Sequence, residues 1–206
     1  MQHDFSISVL VAFVITFSID AHAQPLTIFV HNYADVGQRT LKRAETEAAR
    51  ILGTAGVQVN WVDCSNSPPA LLICGESPDS TELVLDLLPA SATRRGATSG
   101  ALGFAVAPES GPFGSYAGVL YDRVESLRFG ARGNSVVLGD AMAHELGHLL
   151  LGAGSHAPSG IMKDEWHSEE LKEAAQGTLV FHRKERHRME ENVRYRLATR
   201  SANPKR

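Results

Sequence analysis

The stretch His144-Glu145-Leu146-Gly147-His148, continued by Leu149-Leu150-Leu151-Gly152-Ala153-Gly154-Ser155-His156, decides how this chain is read. Residues four apart on a helix share a face, so His144 and His148 can aim two imidazole nitrogens at one ion. Glu145 lies about 100° further round the helix, near such an ion without being forced to ligate it. Val136, Val137, Leu138, Met142, Leu146, Leu149 and Leu150 make the surroundings apolar. That pattern predicts a buried helix from about Ser135 to Leu151, ended by Gly152 as a left-handed cap. A catalytic zinc keeps one position open for water and lowers its pKa toward ~7. A carboxylate beside that water can take its proton and hand it to a leaving amine. A hydrolytic site therefore needs one more protein ligand.

His156 is the first candidate, eight residues beyond His148 and past two glycines, Gly152 and Gly154, that let the backbone turn back. The rivals are the carboxylates Asp164, Glu165, Glu169 and Glu170. For Glu169 and Glu170 a plainer role is available, as first-turn acids of a helix capped by Ser168. After His156, Pro158-Ser159-Gly160 leads into Ile161-Met162, another tight turn.

At this point the chain resembles the metzincin clan of zinc endopeptidases, whose signature is H-E-x-x-H-x-x-G-x-x-H followed by a methionine turn. Here one extra residue precedes the glycine and one follows it. The resemblance implies that His144, His148 and His156 are zinc ligands and Glu145 the general base. It makes Gly152 the helix-terminating turn and Met162 the methionine beneath the metal. The implied activity is hydrolysis of peptide bonds in peptide or protein substrates, with one Zn2+ as cofactor. A carboxylate third ligand would make the site similar to gluzincins instead. Two further readings are an exported zinc protein with a structural or degenerate site, and a zinc hydrolase of non-peptide amides.

Working outward, Leu26-Thr27-Ile28-Phe29-Val30 has strand propensity. Asp35 with Gln38 resembles a helix N-cap box, and Leu41, Ala44, Ala48, Ile51 and Leu52 recur at helical spacing up to a stop at Gly53. Strand alternation returns at Val57, Val59 and Trp61 and at Leu83, Leu85 and Leu87. Two more strand candidates are residues 102–107 and 116–121; the latter, with Gly118, could pair with an extended peptide if it lay at the sheet edge. The order predicts one compact α+β unit. It resembles the N-terminal lobe of zincins, and that resemblance implies a zincin-like mixed twisted sheet with a backing helix, an active-site helix and a small, mainly helical C-terminal lobe. The expected lobes are residues 24–152 and 153–206 of a single catalytic domain.

Phe5 to Ile19 is uncharged and apolar, too short for a permanent span of roughly 20 residues. Ala21-His22-Ala23 follows, so residues 1–23 read as a secretory signal cut before Gln24, although no Lys or Arg precedes the apolar run. The expected product is secreted or periplasmic, with no stable membrane span. In an oxidising compartment Cys64 and Cys74, ten residues apart, are expected to form a disulfide.

The whole chain has 206 residues, 43% hydrophobic and 21% charged, with a formal charge of -3. That composition excludes a largely disordered, collagen-like or coiled-coil protein, and gives no global reason to expect nucleic acid. The near-neutral sum hides a basic tail: residues 177–206 hold nine Lys or Arg against three Glu. Met189, Val193 and Leu197 recur every four residues there, predicting a helix docked by one apolar stripe. The alternative is an attraction to acidic partners or surfaces. Oligomeric state is not legible.

Overall fold

The computed structural model describes residues 24–65, 74, 77–92, 100–106, 114–152 and 154–203. The expected leader, residues 1–23, lies outside them. Strands β1 (Leu26–Asn32), β2 (Val59–Asp63), β3 (Glu82–Leu88), β4 (Gly103–Ala105) and β5 (Tyr116–Leu120) form one sheet in the order β2-β1-β3-β5-β4. All neighbours are parallel except β4, which runs antiparallel to β5 at the sheet edge. Helix α1 (Gln38–Thr54) makes the crossover from β1 to β2 that parallel neighbours require. The chain continues through α2 (Tyr121–Ser126), α3 (Gly130–Leu151), α4 (Ser168–Gln176) and α5 (Arg183–Ala202).

The period-2 pattern does what it predicts. Ile28, Val30, Leu83, Leu85, Leu87, Ala117 and Val119 line one face of the sheet and are fully buried. Leu41, Ala44, Ala48, Ile51 and Leu52 of α1 join the same core, as do Leu138, Met142 and Leu146 of α3. Helix α3 is apolar nearly all round because it packs against α1, the sheet, α4 and α5. Ile161, Met162, Phe181, Met189 and Val193 belong to that core too, so the C-terminal segments close over the helix that carries the histidines.

Several boundaries differ from expectation. Asp35 does not cap α1: Gly37 is the N-cap, and Asp35 sits at φ 51 in the preceding turn. Asn32 closes that turn, its side-chain amide donating to the Val36 carbonyl and its Oδ1 accepting from the Val36 N–H, each at 2.9 Å. This Asx-type bonding competes successfully with a cap formed by Asp35. Helix α1 runs past Gly53 to Thr54, and the positive φ is taken by Gly56 instead. Of the strand expected at residues 102–107, the described part is Gly103–Ala105, residue 107 lying outside the described residues, and Tyr121 opens the short helix α2 rather than ending β5. Helix α3 begins at Gly130, five residues before the expected Ser135. Gly152 does end it, but at φ 86 and ψ 179, a fully extended mirror conformation rather than the left-handed helical one. That region is essentially reserved for glycine. His167, not Ser168, is the N-cap of α4, its N–H donating to Glu170 Oε2 at 3.0 Å.

Cys64 and Cys74 form a disulfide with 5.9 Å between Cα atoms, which suits an oxidising, extracytoplasmic compartment. Among the described residues no helix is long and apolar enough to cross a membrane. The basic tail is docked: Met189 and Val193 are buried, and Arg196 is 4% exposed. Several tail cations bond to the body, including Arg188 to the Leu151 carbonyl and Arg200 to Thr81 Oγ1.

A buried acid interrupts the apolar helix. Asp140 is fully buried in α3, and neither carboxylate oxygen has a hydrogen-bond partner among the described residues. Burial, reinforced by Glu47 and offset in part by Arg50, pushes its pKa up to about 9. The folded state therefore holds a proton that the unfolded chain releases near its ordinary value. Stability is greatest below the unfolded pKa and falls as pH rises toward 9. Asp140→Asn is expected to remove a slope of about 1.4 kcal/mol per pH unit between pH 5 and 8. Urea unfolding of the metal-free chain across that range measures it; an unchanged slope in the variant refutes the assignment.

Candidate metal centre

Helix α3 carries His144, Glu145 and His148 on adjoining faces, and the chain turns back after Gly152 and Gly154 to bring His156 to them. One nitrogen from each of the three histidines lies within 4.8 Å of the others. The imidazole centroids of His144 and His148 are 4.8 Å apart, those of His148 and His156 4.6 Å, and those of His144 and His156 5.7 Å. Among the described residues no carboxylate joins this group. Glu170 is engaged with Lys163 and the His167 N–H, while Glu165 and Glu169 face solvent.

The outer nitrogen of each ring is held by a different kind of partner. His144 Nδ1 lies 2.6 Å from the Ile161 carbonyl oxygen, which can only accept, so that nitrogen carries the proton. His148 Nδ1 is 2.8 Å from Ser155 Oγ, and His156 Nδ1 is 3.2 Å from Asp164 Oδ1. The inner Nε2 atoms of His144 and His148 face one another at 3.1 Å. Two zinc–nitrogen bonds of about 2.0–2.1 Å in a tetrahedral site put their nitrogens about 3.3 Å apart. The His144–His148 pair matches that spacing, the third nitrogen lies within 4.8 Å of both, and three imidazoles are a donor set suited to zinc. Burial pushes His144 down to about 4 and His148 down to about 3, the latter helped by its histidine neighbours. Both rings are therefore neutral at physiological pH, with lone pairs available to a metal.

Glu145 is 5% exposed, and its Oε2 has no hydrogen-bond partner among the described residues. Burial alone pushes its pKa up to about 8. Edge strand β4 crosses directly above it. A Cβ at Gly103 would fall 2.7 Å from Glu145 Oε1 and 2.5 Å from the Gly118 carbonyl oxygen, so glycine is required for this approach. Beneath the helix, Met162 is fully buried. A Cβ at Gly147 would meet Met162 Sδ at 2.7 Å and Phe181 at 2.8 Å, which is why the residue preceding His148 is glycine.

The cleft above the histidines encloses about 530 Å3. Apart from the histidines, Glu145 and Asp164, its walls are largely apolar, with Leu102, Phe104, Leu127, Leu149, Trp166 and Leu171 among them. Trp166 borders it, its ring edge-on to His144 and its indole N–H donating to the Ile161 carbonyl at 3.2 Å. His167 caps α4. His31 is structural, 2.9 Å from Asp86 Oδ1, and Asp86 also accepts from the Tyr116 hydroxyl. The Gly118 strand could pair with a peptide only from the sheet edge, and it does not lie there. β5 lies between β3 and β4, so among the described strands the edge beside Glu145 belongs to β4. Ser155, Gly103 and Gly147 had no sequence signal of their own, because each acts through a neighbour brought by the fold.

No protein-family model matches the chain, and no curated protein matches it. Among solved structures it is similar to a zinc-dependent peptidase from Methanocorpusculum labreanum (strain Z), with 16% identity and a TM-score of 0.55. The match covers 79% of this chain and 99% of that one. At that identity the likeness is one of fold, and the fold is zincin-like: a mostly parallel five-stranded sheet with helices packed around the histidine-bearing one.

Proposed function

We propose that this chain is a metzincin-like, zinc-dependent endopeptidase, exported by a leader ending at Ala23. Residues 24–206 form the catalytic unit, with residues 24–152 and 153–206 as its two lobes. One observation carries the reading: three imidazoles converge beside a buried carboxylate that has an oxygen without a partner among the described residues. His144, His148 and His156 hold one Zn2+, Gly152 ends their helix, and Met162 is the apolar floor beneath it. When bound, the zinc supplies Lewis acidity, polarising a peptide carbonyl and making water a better nucleophile near neutral pH. Glu145 takes the proton from the attacking water and delivers it to the leaving amine. A dication beside it offsets the desolvation that otherwise keeps this carboxyl protonated. An extended substrate pairs with the open side of β4, which brings its backbone across Glu145. The largely apolar walls favour an apolar substrate side chain next to the scissile bond.

The test measures zinc content and cleavage of casein or a peptide library together. The expected result is one zinc per chain, hydrolysis lost to a chelator and restored by zinc, and no zinc retained in His156→Ala. Zinc retained in His156→Ala but lost in Glu169→Ala supports a carboxylate ligand and overturns this assignment. Stoichiometric zinc without cleavage refutes the peptidase reading in favour of a structural zinc protein.

A further inference from the structure

The three histidines differ in how they are braced. The partner of His144 is a main-chain carbonyl, and that of His148 is Ser155, itself 8% exposed. Both braces are interior. His156 stands at the mouth, its side chain 42% exposed, in a turn that follows two glycines with positive φ. It lies outside any helix, and its ring meets the other two imidazoles, 4.6 Å from His148 and 5.7 Å from His144 between centroids. Its outer nitrogen meets Asp164 Oδ1 at 3.2 Å, and the Asp164 side chain is 75% exposed.

Although exposed, Asp164 belongs to a segment pinned on both sides. The Ala157 N–H donates to the Met162 carbonyl at 2.8 Å, and the Lys163 N–H to that of Gly160 at 3.1 Å, which closes the loop between His156 and Asp164. Ala157 and Lys163 form an isolated β-bridge. Immediately before Asp164, the Lys163 ammonium is paired with Glu170 of α4. Two residues after it, the Trp166 indole is bonded to the Ile161 carbonyl, the same oxygen that braces His144. The backbone at Asp164 is thus fixed relative to the first ligand, and its carboxylate reaches back to the third.

We propose that Asp164 is a positioning residue for the third zinc ligand. Its carboxylate accepts the Nδ1–H of His156, which selects the tautomer with Nε2 unprotonated and turns that nitrogen toward His144 and His148. A carboxylate behind a metal-bound imidazole also makes the ring a stronger donor. This role compensates for the lengthened spacing between His148 and His156. A ligand supplied from a glycine-rich turn lacks the orientation that a helix supplies, and the carboxylate restores it. The inference rests on the zinc reading above and assigns to Asp164 a task distinct from that of a ligand.

The experiment titrates the metal-free chain with zinc against a chromophoric chelator, for the parent, Asp164→Asn and Asp164→Ala. Cobalt(II) spectra and metal-free melting curves accompany each titration. Asp164→Ala is expected to weaken zinc binding by about 10–100-fold, the usual range for losing such a partner. Asp164→Asn keeps a hydrogen-bond acceptor and is expected to recover part of that loss. The cobalt d–d bands should shift in Asp164→Ala, while both variants melt with the parent because the side chain is solvent-exposed. Zinc affinity within twofold of the parent in Asp164→Ala, with an unchanged cobalt spectrum, overturns the proposal while leaving the three-histidine site intact. Weakened binding accompanied by equal loss of metal-free stability in both variants overturns it as well, because that marks a folding defect. A parent that takes up no zinc overturns this proposal and the zinc reading together.

Discussion

Glu145→Gln is expected to lower peptide hydrolysis by about 10²–10⁴-fold, the contribution typical of a positioned general base. Glutamine has nearly the same shape, so the packing of this side chain under Gly103 is preserved. Zinc content should equal that of the parent, since one nitrogen from each of three histidines converges without Glu145. What disappears is the proton acceptor in a site where the described residues offer Oε2 no hydrogen bond. The measurement is turnover on one peptide with metal analysis of the same sample. Unchanged turnover with full zinc removes Glu145 from the mechanism. Loss of zinc in step with activity would instead make Glu145 a contributor to metal binding.

The largest effect on stability is expected at Arg196→Ala, outside the histidine cluster itself. This guanidinium is buried and bonds the carbonyls of Gly114 at 2.8 Å, Leu149 at 2.9 Å and Ser80 at 3.1 Å. Asn192 Oδ1 also accepts from its Nε, at 2.7 Å. Burial pushes its pKa down to about 10, so it stays charged at neutral pH. Removing it strands several carbonyls and leaves a cavity, a loss of about 3–5 kcal/mol. For a chain of this size that corresponds to a fall in Tm of about 6–20 °C. Arg196→Lys should recover only part, because an ammonium cannot reproduce the planar fork. A thermal melt within 2 °C of the parent would show that α5 is not held through this residue. Because Leu149 adjoins His148, the same clamp ties the basic tail to the last turn of the histidine helix.

That clamp bears on how far the sequence could be read. From sequence, residues 177–206 present nine Lys or Arg, which suggests either a solvated helix or a surface for acidic partners. Arg196 looks like any other of those cations. Its burial depends on Gly114, Ser80 and Leu149, which lie 82, 116 and 47 residues away. Periodicity located the buried stripe of Met189 and Val193, because a helix face is a local property. It could not show that an arginine lies alongside that stripe.

The strands show the same division. Alternation at Leu83, Leu85 and Leu87 was enough to place β3 and its buried face. The lateral order was not available, and it decides the site: β5 lies inside the sheet and β4 at its edge. Pairing order follows from which strands meet after collapse, not from the pattern within any one strand. Helix ends were misjudged for a related reason. Asn32 outcompetes Asp35 in the turn before α1 because its amide can both donate to and accept from Val36.

Local sequence is enough to read the chemistry on one helix and to single out a candidate third histidine. His144, Glu145 and His148 share adjoining faces through the 3.6-residue turn alone, and Gly152 and Gly154 permit the return that carries His156. Tertiary structure decided everything that makes those side chains a site. It supplied Ile161, Ser155 and Asp164 as three unlike braces for three identical rings. It also brought β4 over Glu145, and thereby the burial that changes its acidity. The physical reason is range: helical periodicity is set by bonds between near neighbours, whereas burial and cross-chain hydrogen bonds exist only once distant segments pack.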